Sequence, residues 1–411
     1  MDAFFTSVSA VCVTGLSTID IATVLTFKGQ TVLMILIQLG GLNFITFASI
    51  FALLANPGVG TRYKSMLQSN YSVDSLESSV LLTGQIIRFS LLFELISAIL
   101  LFFSWGPRHF ASFGDQVFHS LFHSVSAFNN AGFALYTGGL ADAALGTNIP
   151  LGLVIAFTII FGGLGFSPIS EVFSAQSRSY RRSRPWIHYS VNTKIAVYAV
   201  LILVPFGTFA FFFLEQFSVL RGMSVGVQWY HSFFSSVTTR TAGFNTIDFG
   251  AVALPTLLVV MMLMFIGGSS GSTAGGVKTS TFVLVFMNAM ATIRGKKRVE
   301  LFRQTISVEL LNLALSAFLF STSVIALGIF GLAITDGHFG LARIAFEELS
   351  AFCTVGLSTG ITSELSTSGK TILMISMLIG RVGTVTLAFA LTSKRKDSQD
   401  YRYPNASVQV G

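Results

Sequence analysis

Four short sequences, each containing one glycine, recur along the chain of 411 residues, and their composition suits the binding of a metal ion. The glycines are Gly15, Gly132, Gly243 and Gly356, spaced by 117, 111 and 113 residues, and a phenylalanine stands ten positions before each one. The four sequences contain no carboxylate, so backbone carbonyl oxygens rather than charged side chains would bind a cation. Glycine fits such a turn because it tolerates a left-handed backbone and permits close approach.

The residues predicted to bind the ion are the glycine and the two residues before it in every copy. They are Val13, Thr14, Gly15, Asn130, Ala131, Gly132, Thr241, Ala242, Gly243, Thr354, Val355 and Gly356.

A second glycine follows each of the first four at a similar distance. Gly40, Gly162, Gly267 and Gly380 stand 25, 30, 24 and 24 residues after the first set. Glycines are common in membrane helices, and the chain has 38 of them, so chance could explain one such feature. Two features in one register across four copies instead predict a fourfold internal repeat.

Composition indicates where these repeats fold. Hydrophobic residues make up 52% of the chain and charged residues 10%, whereas a soluble domain carries about 25% charged residues. This excludes an ordinary soluble enzyme and a disordered chain, and predicts an all-α polytopic membrane protein. Seven apolar stretches are long enough to cross a bilayer. They are 31–54, 80–103, 149–173, 194–214, 254–292, 308–333 and 371–392.

Four shorter apolar stretches complete the repeat. They span 3–11, 116–128, 227–239 and 341–352, and their length is typical of re-entrant half-helices. The predicted unit is an outer helix, a pore half-helix, a glycine turn and an inner helix. Four pseudo-symmetric units would surround a central pore along the membrane normal. The repeats are placed at 1–57, 78–177, 190–298 and 305–393, with a tail at 394–411. The first outer helix is missing from this chain, which we attribute to truncation or a wrongly assigned start.

Basic residues orient these spans. They cluster in three loops and the tail: Arg62, Lys64, Arg178, Arg181, Arg182, Arg184, Lys194, Arg294, Lys296, Lys297, Arg298, Arg303, Lys394, Arg395, Lys396 and Arg402. The positive-inside rule makes these segments cytoplasmic, including the C-terminus. It accounts for the net charge of +7 without a nucleic-acid partner. We expect the basic loops to contact lipid headgroups. A docking site for a cytosolic partner is the less favoured alternative.

The geometry of such a unit suits a cation. A half-helix that stops partway through the bilayer points the negative end of its dipole at the axis. Unpaired backbone at membrane depth persists only where it lines a water-filled path or a site. A dehydrating cation can replace its water with rings of carbonyl oxygens.

At this point the residues resemble a known family. Val13-Thr14-Gly15-Leu16 and Thr354-Val355-Gly356-Leu357 resemble shortened potassium-channel filters. Four repeats with one glycine per filter resemble the Trk/Ktr/HKT superfamily of potassium transporters. Residues 124–133, 240–245 and 380–383 are most similar to the membrane subunits of bacterial Ktr systems, and the resemblance covers nearly the whole chain.

The resemblance implies potassium uptake across the cell membrane, often dependent on sodium. In that superfamily, glycine in all four filters goes with potassium preference, and serine in the first goes with sodium. The family further implies a homodimer in the lipid bilayer and a KtrA-like cytosolic ring that regulates it. The nucleotide is expected on that ring, and no covalent cofactor is expected on this chain.

A glycine-rich segment interrupts the fifth apolar stretch and is the predicted gate. It consists of Gly267, Gly268, Ser269, Ser270, Gly271, Ser272, Thr273, Ala274, Gly275 and Gly276. Glycine costs about 1 kcal/mol relative to alanine in a helix, so this segment is not a stable lipid-facing helix. In related proteins the matching loop lies under the filter and blocks the pore, near the residue that matches Arg381. The hypothesis is that this loop and Arg381 form a barrier that the cytosolic partner shifts.

Three further charged residues have open roles. Lys278 is included in the gate because it could bond carbonyls of the broken segment, and Arg240 could brace the third filter. For both, a structural role is at least as well supported as a role in transport. Glu94 lies within the second apolar stretch and could pair with Arg88 or a neighbour, or mark a subunit contact.

Two other functions are considered. One is a sodium-selective or non-selective cation transporter of the same superfamily. The other is a secondary transporter of another solute, which would need polar side chains converging on a substrate. No set of catalytic residues in the sequence supports an enzyme. Gly267–Gly271 matches G-x-S-x-G without the required strand and helix, and His119 and His123 lack the glutamate of a zinc motif.

Overall fold

The described part of the chain is mostly helical with very little strand, which confirms the predicted all-α class. The computed structural model describes residues 1–42, 76–106, 110, 112–142, 145–173 and 189–383. The helices are α1 (Asp2–Val11), α2 (Ile21–Val24), α3 (Phe27–Gly41), α4 (Leu76–Ser104), α5 (Phe113–Phe128), α6 (Ile149–Leu164), α7 (Phe166–Phe173), α8 (Val191–Glu215), α9 (Val225–Thr238), α10 (Leu254–Phe265), α11 (Thr279–Ile293), α12 (Val308–Asp336), α13 (Leu341–Phe352) and α14 (Thr367–Val382). Strands β1 (Glu300–Leu301) and β2 (Gln304–Thr305) form a short antiparallel hairpin between α11 and α12.

The long helices α4, α8 and α12 expose apolar side chains as lipid-facing helices do. Leu95 on α4, Ile202 on α8 and Leu327 on α12 are 57%, 63% and 69% exposed. In the described residues, these three helices are long and apolar enough to cross a membrane, and the bent pair α6–α7 makes a fourth. The predicted fifth stretch is divided into two shorter apolar helices, α10 and α11, on either side of the glycine-rich segment.

Local sequence explains where several helices begin. Ser190 and Ser307 precede α8 and α12, and their hydroxyls accept hydrogen bonds from Thr193 N and Leu310 N. These are N-caps that satisfy backbone donors in the first turn. Proline follows the first residue of α10, where its missing N–H costs nothing.

Four apolar clusters close the helices into a ring. One joins the N-terminal helices α1 and α3 to α5, and a second joins α4, α5 and α6 to α8 and α9. A third joins α8 and α10 to α12 and α13. The last joins α12, α13 and α14 back to α1, so the start and the end of the described chain pack together. Each group of helices therefore buries its apolar surface against both of its neighbours.

The third apolar stretch, predicted as one span, is a bent pair of helices. α6 and α7 meet at an angle of 97°. The bend falls at Gly165, which has φ of +90°, and the following amide of Phe166 donates to Gly271 O. The amide leaves the helical ladder to bond the glycine-rich segment, so the helix turns there.

Parts of several predictions lie outside the described residues. These are the C-terminal ends of the first and seventh apolar stretches, the tail at 394–411, and the basic residues Arg62, Lys64, Arg178, Arg181, Arg182 and Arg184.

Candidate functional site

The four half-helices α1, α5, α9 and α13 each end in a turn of the same backbone conformation. The residue two before each glycine has a positive φ although it is not glycine: Val13 56°, Asn130 58°, Thr241 65° and Thr354 49°. The glycines follow with φ of 97° at Gly15, 70° at Gly132, 76° at Gly243 and 90° at Gly356. Left-handed conformations are strained for residues with a side chain, and they persist where surrounding structure enforces them.

A hydroxyl residue on each half-helix anchors its turn. The backbone carbonyls of Ser9, Ser126, Thr238 and Ser350 accept the N–H of the residue before the glycine, at 2.7–3.0 Å. The hydroxyls of Ser9 and Ser350 also accept the amide of their glycine, both at 3.1 Å. These contacts use the amides of the turn and leave its carbonyls for other partners.

The third copy is one residue shorter than sequence alignment on the glycines indicates. That alignment places Val237 opposite the three serines, whereas the structure puts Thr238 there. The same offset appears earlier in α9, where Phe234 rather than Phe233 is fully buried like Phe5, Phe122 and Phe346.

The four turns form a closed ring. A Cβ on Gly15 would collide with Ala131 O, and one on Gly132 would lie 2.8 Å from Ala242 O. A Cβ on Gly243 would collide with Val355 O, and one on Gly356 with Thr14 O. The order is therefore first, second, third, fourth and back to first, with each glycine against the carbonyl of the next turn.

The carbonyl oxygens of the ring have no hydrogen-bond donor from the described part of the chain. This holds for all twelve residues predicted to bind the ion. Because an unpaired buried carbonyl is costly, a set of twelve needs water or an ion as its partner. The arrangement is chemically able to coordinate a cation that has lost its hydration shell.

A polar cavity of about 290 Å³ lies on one side of the ring. Its lining includes all four glycines, together with Asp20, Asn245 and Ser358. Asp20 accepts hydrogen bonds from Ala22 N at 3.0 Å and Thr137 Oγ1 at 2.8 Å. Its carboxylate places negative charge at the mouth of the ring.

The second set of glycines lets the inner helices approach the half-helices closely. A Cβ on Gly40, Gly162 or Gly380 would collide with the carbonyl of Val11, Phe128 or Phe352, the last residue of the half-helix in the same repeat. Gly267, the third copy, lies instead against the carbonyls of Gly275 and Val277. The register that the sequence displayed therefore has a packing cause in three copies and a loop contact in one.

The glycine-rich segment 267–276 contacts residues that precede the filter glycines, whereas the cavity is lined by those glycines and the residues that follow them. A Cβ on Gly275 would collide with Thr354 Oγ1, and one on Gly276 would lie 2.8 Å from Cys353 Cα. Thr273 is buried, and its hydroxyl donates to Phe128 O at 3.3 Å. The segment thus contacts the ends of the second and fourth half-helices directly.

Backbone hydrogen bonds hold this segment between repeats. Ser269 N donates to Gly163 O at 3.1 Å, and Gly276 N donates to Gly380 O at 3.3 Å. Gly267 N, at the start of the segment, donates to Val277 O, directly after its end, at 3.0 Å. The segment is therefore held by backbone hydrogen bonds at both ends and to its neighbours.

Two positively charged side chains contact the segment. Arg381 on α14 donates from Nη1 to Thr273 O and from Nη2 to Gly40 O, which links the fourth, third and first repeats. Lys278 donates from Nζ to Ala274 O. Both side chains therefore bond carbonyls, as the sequence reasoning expected for Lys278.

The two remaining charged residues with open roles, Glu94 and Arg240, are both buried. Glu94 is buried and accepts hydrogen bonds from Ser90 Oγ at 2.9 Å and Asn129 Nδ2 at 3.0 Å, so its neighbours are polar side chains rather than Arg88. Arg240 lies buried in the third turn, and its Nη1 has no hydrogen-bond partner in the described part of the chain.

The two histidines of α5 lie among aromatic side chains. His123 Nε2 accepts Leu135 N at 3.4 Å, and the His119 and His123 rings lie 6.0 Å apart among aromatic neighbours. No group of three or more His, Cys, Asp or Glu suited to a metal occurs in the described residues.

Comparisons with known proteins agree with this architecture. The family model for TrkH, described as a cation transport protein, matches residues 1–400. The Ktr system potassium uptake protein B of Bacillus subtilis is 37% identical over 413 residues, covering 100% of this chain and 89% of that protein. The protein of the same name from Vibrio alginolyticus is 35% identical, covering 100% and 88%. The potassium/sodium uptake protein NtpJ of Enterococcus hirae is 34% identical, covering 100% and 90%.

A solved structure has the same fold. The potassium transporter TrkH from Vibrio parahaemolyticus superposes with a TM-score of 0.71, at 17% identity, over 95% of this chain and 78% of that one.

The fold, the family match and the relatives together define a membrane protein of the cation transport class. The chain belongs to the Trk/Ktr family of cation transport proteins, which confirms the family resemblance seen in its sequence.

Proposed function

We propose that this chain takes up potassium ions across the cell membrane through a selectivity filter made of the four glycine turns. The observation that carries the proposal is the closed ring in which Gly15, Gly132, Gly243 and Gly356 pack against each other's carbonyls. The twelve carbonyls of residues 13–15, 130–132, 241–243 and 354–356 coordinate the ion. The relatives named potassium uptake proteins support potassium as that ion.

The segment 267–276, Lys278 and Arg381 form the gate. The segment fills the space on one side of the ring, and Arg381 ties it to the first and fourth repeats. The guanidinium also adds positive charge below the filter, which opposes the passage of a cation. Opening requires that these contacts break and that the segment moves away from Thr354.

The chain acts as the membrane subunit of a regulated complex. The names of two relatives refer to a Ktr system, which supports a further subunit. We propose a homodimer bound to a KtrA-like cytosolic ring that carries the nucleotide, with the C-terminus on the cytoplasmic side. The basic residues 296–298 on the α11–β1 connection are exposed and suit that side.

Sodium is the second candidate ion. The relative from Enterococcus hirae is named a potassium/sodium uptake protein. Sodium would enter as a coupled ion, or as the transported ion in a less selective filter.

The test is uptake in cells that lack their own potassium transporters. Cells producing this chain with its cytosolic partner should grow on limiting potassium and accumulate rubidium as a tracer. Competition by potassium and by sodium then separates the two candidates. Absence of rescue, at normal membrane amounts and with the partner present, would overturn potassium uptake.

A further inference from the structure

Glu347 on α13 is a fully buried carboxylate that lies nine residues before Gly356. Its Oε1 accepts hydrogen bonds from Ser358 Oγ at 2.6 Å, Thr359 N at 2.8 Å and Thr359 Oγ1 at 3.2 Å. Its Oε2 accepts Thr362 Oγ1 at 2.8 Å. Three donors therefore converge on Oε1 and one on Oε2, so both carboxylate oxygens are hydrogen-bonded. All four belong to the segment that follows the fourth turn.

This segment connects directly to the ring. Ser358 is two residues after Gly356, and both line the polar cavity. On its other side, a Cβ on Gly250 would lie 2.9 Å from Thr359 O, so the third repeat limits movement in that direction. The carboxylate and the third repeat therefore hold residues 358 and 359 between them.

The joint that depends on this segment is the one that closes the ring. Gly356 packs against Thr14 O of the first turn. If residues 358 and 359 lose their anchor, Gly356 can move away from Thr14. A wider ring binds a small and a large dehydrated cation with more similar free energies. Discrimination between the two ions therefore falls.

The second and third turns have lighter anchors at the equivalent position. Leu135, Thr246 and Thr359 all stand three residues after their glycines. Leu135 N donates to His123 Nε2 at 3.4 Å, and Thr246 Oγ1 lies 3.0 Å from His231 Nδ1. In the fourth repeat, one carboxylate makes four contacts, and hydrogen bonds to charged groups are stronger than those between neutral groups.

We propose that Glu347 is a positioning residue for ion selectivity, which holds the outer end of the fourth turn and keeps the ring closed at Gly356 and Thr14. The proposal rests on the proposed function of the ring as a filter. It concerns the discrimination between ions rather than the ability to transport them.

The experiment compares Glu347→Gln with Glu348→Gln in the complete complex. Glutamine keeps the shape but removes the charge and puts an amide NH2 in place of one carboxylate oxygen, so the four hydrogen bonds are no longer charge-assisted and at least one of them must reverse its direction. Glu348 is the matched control because it is equally buried on the same helix, yet its Oε1 accepts from Ser376 Oγ on α14, away from the turn. The ratio of potassium to sodium uptake is measured at equal amounts of protein in the membrane.

We expect E347Q to lower the potassium-to-sodium ratio about tenfold, as the loss of charged hydrogen bonds would do, and E348Q to leave it within twofold. A ratio within twofold of wild type in E347Q overturns the proposal. So does an equal fall in both variants, since that would indicate a general effect of burial. If the wild-type protein itself fails to take up potassium, that result contradicts the proposed function rather than the role of Glu347.

A second pair of variants covers the case in which E347Q does not reach the membrane. Ser358→Ala and Thr362→Val each remove one donor and leave the carboxylate in place. Each should lower the same ratio by about threefold, because one hydrogen bond is lost in each. Unchanged ratios in both variants overturn the proposal.

Discussion

The carbonyl oxygen of Thr14 lies where a Cβ on Gly356 would stand, so the last turn of the chain closes directly on the first. More than 340 residues of sequence separate the two, yet the apolar cluster that contains Phe5, Leu16 and Leu373 packs the same two repeats together. The ring is therefore supported by packing as well as by the turns themselves.

The first prediction concerns Gly356→Ala. The added Cβ collides with Thr14 O, and alanine at φ of +90° is strained by about 1–2 kcal/mol. We expect potassium uptake to fall at least about tenfold at normal membrane amounts, since 1.4 kcal/mol corresponds to a factor of ten. Tracer uptake in transporter-deficient cells measures this.

Gly226→Ala is the control for that substitution. Gly226 lies on α9 with no atom within 4 Å of an added Cβ and an ordinary φ. Uptake by this variant should match wild type. Equal uptake by Gly356→Ala and wild type would contradict the close packing of the ring.

The second prediction concerns the packing of α6 on the half-helix α5. Gly162→Ala places a methyl group against Phe128 O, which costs about 1–3 kcal/mol by overpacking. Its neighbour Gly163 meets only Asn130 Nδ2, at 3.4 Å, so Gly163→Ala is tolerated. In detergent, the unfolding temperature of the first variant should fall by several degrees, and that of the second should not. Equal unfolding temperatures would show that the inner helix does not need this close approach.

The spacing in the sequence predicts both glycine registers but not the reason for the second one. Spacing relates Gly40, Gly162 and Gly380 to the turns, whereas their contact with the last carbonyl of a half-helix depends on how two helices cross. The shortened third copy was also missed. Val237-Thr238-Thr239 aligns with the other copies in either register, and only the hydrogen bonds of Thr238 select one.

Two other features depend on contacts between residues far apart in the chain, which local sequence patterns do not predict. The bend at Gly165 follows from a bond between Phe166 N and Gly271 O, residues more than 100 positions apart. Glu347 reads as an ordinary residue of an amphipathic helix, and its donors arrive only when the chain turns back after Gly356. A clue was present, since two adjacent glutamates on a short apolar half-helix are expensive to bury without partners.

The third prediction concerns the gate. Arg381→Ala removes the hydrogen bonds to Thr273 O and Gly40 O, which hold the segment 267–276 across three repeats. Uptake without the cytosolic partner should rise severalfold, because the closed arrangement loses both contacts and a positive charge. Flux is measured in vesicles that contain this chain alone.

The control for the gate is another cation on the same helix. Lys370 on α14 pairs with Asp2 at 3.4 Å and makes no contact with the segment. Such ion pairs contribute about 0–1 kcal/mol, so Lys370→Ala should leave flux within twofold. A deletion within 267–276 that leaves partner-independent flux unchanged would count against the gate.

The fourth prediction concerns Asp20 in the cavity. Its charge raises the local concentration of cations at the ring, an effect that salt screens over about 10 Å. Asp20→Asn keeps an oxygen for Ala22 N, since asparagine is also a good N-cap, but removes the charge. The potassium concentration at half-maximal uptake should rise about threefold at low ionic strength, and less when an impermeant salt is added, with the maximal rate unchanged.

Asp248 is the matched control because its carboxylate likewise accepts a backbone amide, Gly250 N at 2.8 Å, but does not line the cavity. Asp248→Asn should leave half-saturation unchanged, and an equal rise in both variants would assign the effect to overall surface charge rather than to the mouth of the ring.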